Sequence, residues 1–217
     1  MSTFVISKPA ENHAIKVLKE MGLNAVLNNN KIKTDPDILI EDLNLYADEQ
    51  TKFLFKGKIA FDAIASASPM ISVKDNEFIG DSVNKICKFF LNNSSMTLEE
   101  FVNPSKNPLF KVSKMGKMID CSFSYVVHHL TPKHSNPGTR GNNWTFSEGD
   151  KALVIDYNVM RNFFNENNNW KTYFNFNRKA TVGAGIGDKW LSAYFSIDLN
   201  KIPQEAIVFE YTYDNIN

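Results

Sequence analysis

Cysteine is scarce in this chain. Cys87 and Cys121 are its two cysteines in 217 residues, too few for the disulfide framework of a small secreted domain. They sit in the apolar runs KICKFF and MIDCSFS and read as buried, reduced thiols. A bridge between them stays open at this level. A surplus of either charge is also missing, since Lys plus Arg and Asp plus Glu each number 24. That balance argues against coating duplex DNA by bulk charge, because neutralising phosphates needs a cationic excess. It leaves room for a local basic face. No apolar run is long enough to span a bilayer. The opening MSTFVISKPAENHAIKVLKE lacks the basic-then-apolar order of a secretory signal. These features together point to a soluble, cytoplasmic protein that does not engage a membrane.

Aromatic and asparagine content is high instead. Phe occurs 17 times, and 43% of residues are hydrophobic against 22% charged. Such a composition builds an ordinary globular core, in one large domain or two small ones. Asn clusters at NNN (28–30) and NENNNW (165–170) suit exposed turns, where Asn tolerates left-handed backbone. Asn with Lys richness also follows from AT-rich coding DNA and suggests an AT-rich bacterium, a phage or another mobile element.

Patterning predicts an α+β chain. TFVI is a short strand. Residues 7–22 read as a helix with Ser7 as cap and Ala14, Val17, Leu18 and Met21 on one face. LNAVLNNNKIKT reads as two short strands about an Asn turn. A second helix is expected from Thr34 or Asp35, with Ile38, Leu39, Leu43 and Tyr46 inward. TKFLFKGKIAFDAIASAS starts strand-like and ends with helical, Ala-rich spacing. DSVNKICKFFLNN is an amphipathic helix capped by Asp81, and Thr97 with Glu100 has capping-box spacing. FVNPSKNPLF, with Pro104 and Pro108, is the boundary candidate. Beyond it MIDCSFSYVV, ALVIDYNV, WKTYFNF, WLSAYFSIDL and AIVFEYTY have strand character, and DYNVMRNFFNEN between them is helical. The expected architecture is therefore a mainly helical region (1–103) followed by a β-rich, largely antiparallel region (110–217).

Three of the four histidines, His128, His129 and His134, lie within SYVVHHLTPKH. In a strand, neighbours face opposite ways, so at most one of His128 and His129 serves a given site. No C-x-x-C or H-x-x-x-H pair accompanies them, and no metal site is expected. His129-Leu130-Thr131 forms an H-x-T triplet. Two such triplets make the site of 2H phosphoesterases, and this chain has one.

The run from SYVVHHLTPKH through GNNWTFSEGDKALVIDY resembles ADP-ribosyltransferase-type domains over about 90 residues. The matching positions are His129 and Thr131, then Phe146 and Ser147, and a late Glu205 or Glu210. Arg140 would add a phosphate contact. The resemblance implies an NAD-using enzyme: His or Ser orients the nicotinamide ribose, and the carboxylate stabilises an oxocarbenium-like state. The spacing from His129 to Ser147 is short for that family, and ALVIDY reads as strand where the family has helix.

A second stretch, residues 167–190, interleaves Trp170, Tyr173, Phe174 and Phe176 with Lys171, Arg178 and Lys179. Stacking rings beside cations suit single-stranded nucleic acid, and Trp170, Lys171, Tyr173, Arg178 and Lys179 are its candidate contacts. A half-buried strand is the plainer reading. VGAGIGD lacks the spacing of a phosphate loop and reads as a hairpin loop or a lid. Lys106, Lys111, Lys114 and Lys117 form a modest basic run.

Three function classes follow. The first is a non-enzymatic binding or interaction protein that acts on a host protein or within an assembly and needs no cofactor. The second is the ADP-ribosyltransferase-like enzyme, with NAD. The third is a single-stranded nucleic-acid binder.

Overall fold

Strand outweighs helix in this chain. The computed structural model describes residues 8–29, 36–53, 57–69, 79–103, 105–106, 109–120, 122–131, 148–176, 181–182 and 189–213. They divide into two discontinuous compact units. Unit 1 comprises Met1–Ile59, Ser122–Met160 and Leu199–Asn217, and unit 2 comprises Ala60–Cys121 and Arg161–Asp198. Residues 103–110 lie inside unit 2, so the proline-bearing segment is no boundary between the units.

Unit 1 is built on a six-stranded sheet. Its strands are β1 (Ala25–Leu27), β2 (Ile38–Ile40), β3 (Leu45–Phe53), β6 (Tyr125–Thr131), β7 (Lys151–Asp156) and β11 (Ile207–Thr212), in the order β1-β2-β3-β6-β7-β11. All neighbours are antiparallel except β3 and β6, which run parallel with Ala47 opposite Tyr125 and Thr51 opposite His129. Parallel strands need a long crossover, and much of unit 2 is threaded between these two. Helix α1 (Lys8–Glu20) covers one face. Its Ala14, Val17 and Leu18 bury against Ala25, Ile38, Ile40, Ala47, Val127, Ala152 and Val154. The 3.6-residue period of the helix meets the two-residue period of the strands in one core.

Unit 2 carries a second sheet in the order β5-β4-β10-β8. Its strands are β4 (Lys58–Pro69), β5 (Phe110–Met115), β8 (Phe174–Phe176) and β10 (Lys189–Asp198), and β9 (Thr181–Val182) pairs with β10. Helices α2 (Ile79–Asn92), α3 (Leu98–Val102), α4 (Tyr157–Asn165, from Arg161 on) and α5 (Trp170–Tyr173) complete it. Its core is aromatic. Phe61, Phe101, Phe110, Phe164, Trp170, Phe174, Phe176 and Phe195 are all buried. Phe101 meets Phe110, Trp170 and Phe174 with centroids 5.1–5.2 Å apart, and edge-to-face contacts predominate, as ring quadrupoles favour.

The mainly helical N-terminal half is overturned. Up to residue 103 the described chain holds three helices, two of them beyond residue 78, and four strands. The expected helix over Ile38–Tyr46 is the hairpin of β2 and β3, closed at Asn44, whose φ of 49° is left-handed. Leu43 and Tyr46, expected inward, are the exposed pair. The Ala-rich segment is strand β4, not helix. Ala63 and Ala67 are fully buried there, so packing in a central strand overrides the helix propensity of Ala. WKTYFNF splits into the α5 turn and β8 rather than forming one strand. The helices expected at α1, α2 and DYNVMRNFFNEN are present, as are the Thr97–Glu100 capping box and the strands of ALVID, WLSAYFSIDL and AIVFEYT. TFVI, Ser7, Thr34, Asp35, Pro104 and Pro108 lie outside the described residues.

Candidate functional site

Val126–Leu130 of the histidine segment are buried within unit 1. β6 is central, flanked by β3 and β7, and alternation sends His128 and His129 to opposite faces as expected. Both are fully buried. His128 Nε2 is hydrogen-bonded to the Tyr157 hydroxyl at 3.0 Å, with the rings stacked 5.7 Å apart. On the other face His129 Nδ1 is hydrogen-bonded to the Tyr213 hydroxyl at 2.9 Å. His129 Nε2 lies 4.0 Å from Glu49 Oε1. Tyr213 is held protonated, because burial pushes its pKa well above the usual phenol range. The negative charge that Tyr211, Glu49 and Asp150 carry or would carry adds to the shift. A protonated phenol can donate to a neutral imidazole. Each histidine thus has a tyrosine partner in the core.

Among the described residues matched to the transferase pattern, Glu210 does not meet His129. Register places Glu210 opposite Leu153, and Leu153 opposite His128. Glu210 is therefore on the His128 face of the sheet, away from His129, and it is exposed and paired with Lys151. Glu205 is exposed in a 3₁₀ turn (Gln204–Ala206). Thr131 ends β6. His134, Arg140, Phe146 and Ser147 lie outside the described residues.

Of the nucleic-acid candidates, Trp170, Lys171 and Tyr173 all stand on α5. Trp170 is fully enclosed against Phe101 and Phe174 and offers no stacking face to solvent. Lys171 donates to the Ser94 carbonyl at 2.6 Å, with its ammonium 5.8 Å from the Trp170 ring centre. Tyr173 is half-buried against Phe163 and Phe164. Arg178, Lys179 and the glycines of VGAGIGD lie outside the described residues. Among the described residues no three His, Cys, Asp or Glu side chains cluster as metal ligands would.

Unit 2 holds a pocket that the sequence motifs did not mark. Its volume is about 380 Å³, within the range of small-molecule sites. α3 supplies Leu98, Glu99 and Val102, and Asn103 follows at its end. The capping box orients this short helix: the Thr97 hydroxyl accepts from the Glu100 N–H at 3.2 Å, and the Glu100 carboxylate accepts from the Thr97 N–H at 3.1 Å. α4 supplies Arg161, Phe164 and Asn165, which share a face at i, i+3 and i+4. Met115 ends β5, and Met118 and Ile119 stand on the turn after it. That turn is tied down: Gly116 N–H donates to Ala63 O and Met118 N–H to Asp62 O, both at 2.9 Å. Phe195 of β10 stacks on Phe164, centroids 4.3 Å apart and planes 27° off parallel, and both rings face the pocket.

Seven lining side chains are apolar, and four (Glu99, Asn103, Arg161, Asn165) are polar. Sequence reasoning missed the pocket because its walls come from four elements scattered between residues 98 and 195. The helical spacing of Arg161, Phe164 and Asn165 was the one legible signal.

Set beside protein-family models, characterised proteins and solved structures, the chain matches none. Among the described residues no helix is long and apolar enough to cross a membrane.

Proposed function

We propose that this is a binding protein whose unit 2 holds a small, largely apolar molecule between α3, α4, β10 and the turn after β5. The observation that carries this reading is the 380 Å³ pocket, lined mostly by apolar side chains with a few polar ones. That is the usual composition of small-molecule sites. Met115 and Met118 suit such a role, because unbranched thioethers adapt to a ligand's outline. The reading keeps the binding class expected from the sequence and makes its partner a small molecule.

The test is titration with N-phenyl-1-naphthylamine, an uncharged dye that brightens in apolar surroundings. Saturable binding at one site is expected. Ile119→Trp, which fills the pocket from its half-buried rim, should abolish it with the melting temperature retained. Saturation unchanged in Ile119→Trp would place the dye elsewhere and overturn the proposal.

A further inference from the structure

We propose that the outward face of α2 docks on an anionic lipid bilayer, with the Phe89 ring entering the headgroup region beside two lysines. In the second half of this helix Cys87 and Leu91 are buried and form the seam that holds it on unit 2. At roughly 100° per residue, Phe89 stands about opposite that seam. It is 75% exposed, and Ile86, three residues earlier on the same side, is 39% exposed. A single exposed apolar residue is ordinary on a protein surface. Here the most exposed large apolar side chain among the described residues sits at the crest of a helix, with a second one beside it.

The charges around this tip have one sign. Lys85 stands one turn before Phe89 and Lys88 directly precedes it, and both are exposed. Neither has an ion-pair partner among the described residues. From residue 82 to residue 96 the sequence holds no Asp or Glu. A chain of zero net charge thus carries a local cationic face around an apolar tip. The last turn is firm, because the Asn93 side-chain amide donates to the Phe89 carbonyl at 2.7 Å.

Shape and size favour lipid over a protein partner. A stable protein interface buries roughly 800 Å² on each side around a packed core. Two side chains on a convex helix fall short of that. A bilayer requires no matching shape. Aromatic rings settle at its interface, lysine stems reach along the surface to the headgroups, and each lysine adds attraction to an anionic leaflet. The lack of a long apolar run excludes a span, whereas a contact of this kind lies on the membrane.

Sedimentation of the full chain with sucrose-loaded vesicles tests this. Binding should be about tenfold stronger to phosphatidylcholine vesicles with about one third phosphatidylserine than to phosphatidylcholine alone, and added salt should weaken it. Phe89→Ser, and separately Lys85→Gln combined with Lys88→Gln, should each lower binding to the anionic vesicles about tenfold with the melting temperature kept. In Phe89→Trp, tryptophan emission should shift to the blue on those vesicles, and the natural protein should show no such shift. No sedimentation with the anionic vesicles, equal binding to both kinds, or unchanged binding of Phe89→Ser would overturn the proposal. Binding to poly-L-glutamate in solution without binding to vesicles would assign the face to an acidic protein and overturn it too. None of these outcomes bears on the pocket in the same unit.

Discussion

The Tyr213 hydroxyl lies 2.9 Å from His129 Nδ1, and both side chains are buried in the same face of the unit 1 sheet. Tyr213 also meets the His13 ring of α1 edge-on at 5.7 Å. The C-terminal end of β11 is thus fastened to both the central strand and the covering helix. Tyr213→Phe keeps the ring and deletes the hydrogen bond. It should cost about 1–3 kcal/mol, because a buried imidazole nitrogen loses its partner. Urea denaturation checks this, and an unchanged midpoint would mean the bond contributes nothing.

Gly116 has no room for a side chain. A Cβ there would stand 2.3 Å from the Asp62 carbonyl oxygen and 2.8 Å from the Ala63 carbonyl carbon, both backbone atoms. Gly116→Ala should therefore push β4 and β5 apart and destabilise unit 2 by about 3 kcal/mol, the upper end for overpacking. Met118 and Ile119 follow within three residues, so dye binding should weaken as well. A stable variant with full dye affinity would show that the turn shifts at no cost.

Phe164 and Phe89 make opposite predictions. Phe164 is fully buried and stacked on Phe195, whereas Phe89 is 75% exposed on α2. Phe164→Ala should cost about 3–5 kcal/mol through lost contact and a cavity. Phe89→Ser should stay within about 0.5 kcal/mol, as surface changes do. Thermal melts of both variants decide it, and a large loss in Phe89→Ser would reveal a partner for that ring.

Burial pushes the Cys87 thiol pKa up to about 12, so almost no thiolate forms at neutral pH and the nucleophile is missing. In a Cys121→Ser background, Ellman's reagent at pH 8 should leave native protein unlabelled for as long as it stays folded. Urea-unfolded protein should react at once. Fast labelling of the native protein would contradict the burial.

His13 supplies a pH dependence. Burial, and next the nearby Lys16 charge, hold its pKa below the ordinary histidine value. The unfolded chain therefore binds more protons than the folded one near pH 6.5. Stability from this group is complete above that pH and is lost as pH falls through the lowered folded pKa. Melting temperatures of the natural protein should fall more steeply between pH 7.5 and 5 than those of His13→Gln. Parallel curves would assign the acid sensitivity to other groups.

Much of the secondary structure is local and was readable. The face of α1, the Thr97–Glu100 box and the alternating strands β7, β10 and β11 follow from periodicity and capping chemistry, which act over a few residues. The opposite facing of His128 and His129 follows from the two-residue repeat of any strand. Ile38–Tyr46 and the Ala-rich β4 were misread for a related reason. Their spacing suits a helix, but the tight turn at Asn44 pairs β2 with β3, and β4 is made sheet by β5 and β10, far away in sequence.

What the sequence by itself determined is the set of apolar faces, the scarcity of cysteine and the even balance of charge, each a property of composition or near neighbours. Tertiary structure alone decided that Glu210 stands on the face opposite His129, that Trp170 is enclosed, and that Leu98, Met118, Phe164 and Phe195 share one pocket. Those outcomes depend on strand register and on contacts between residues up to about a hundred positions apart. A single sequence does not encode such contacts in any local pattern.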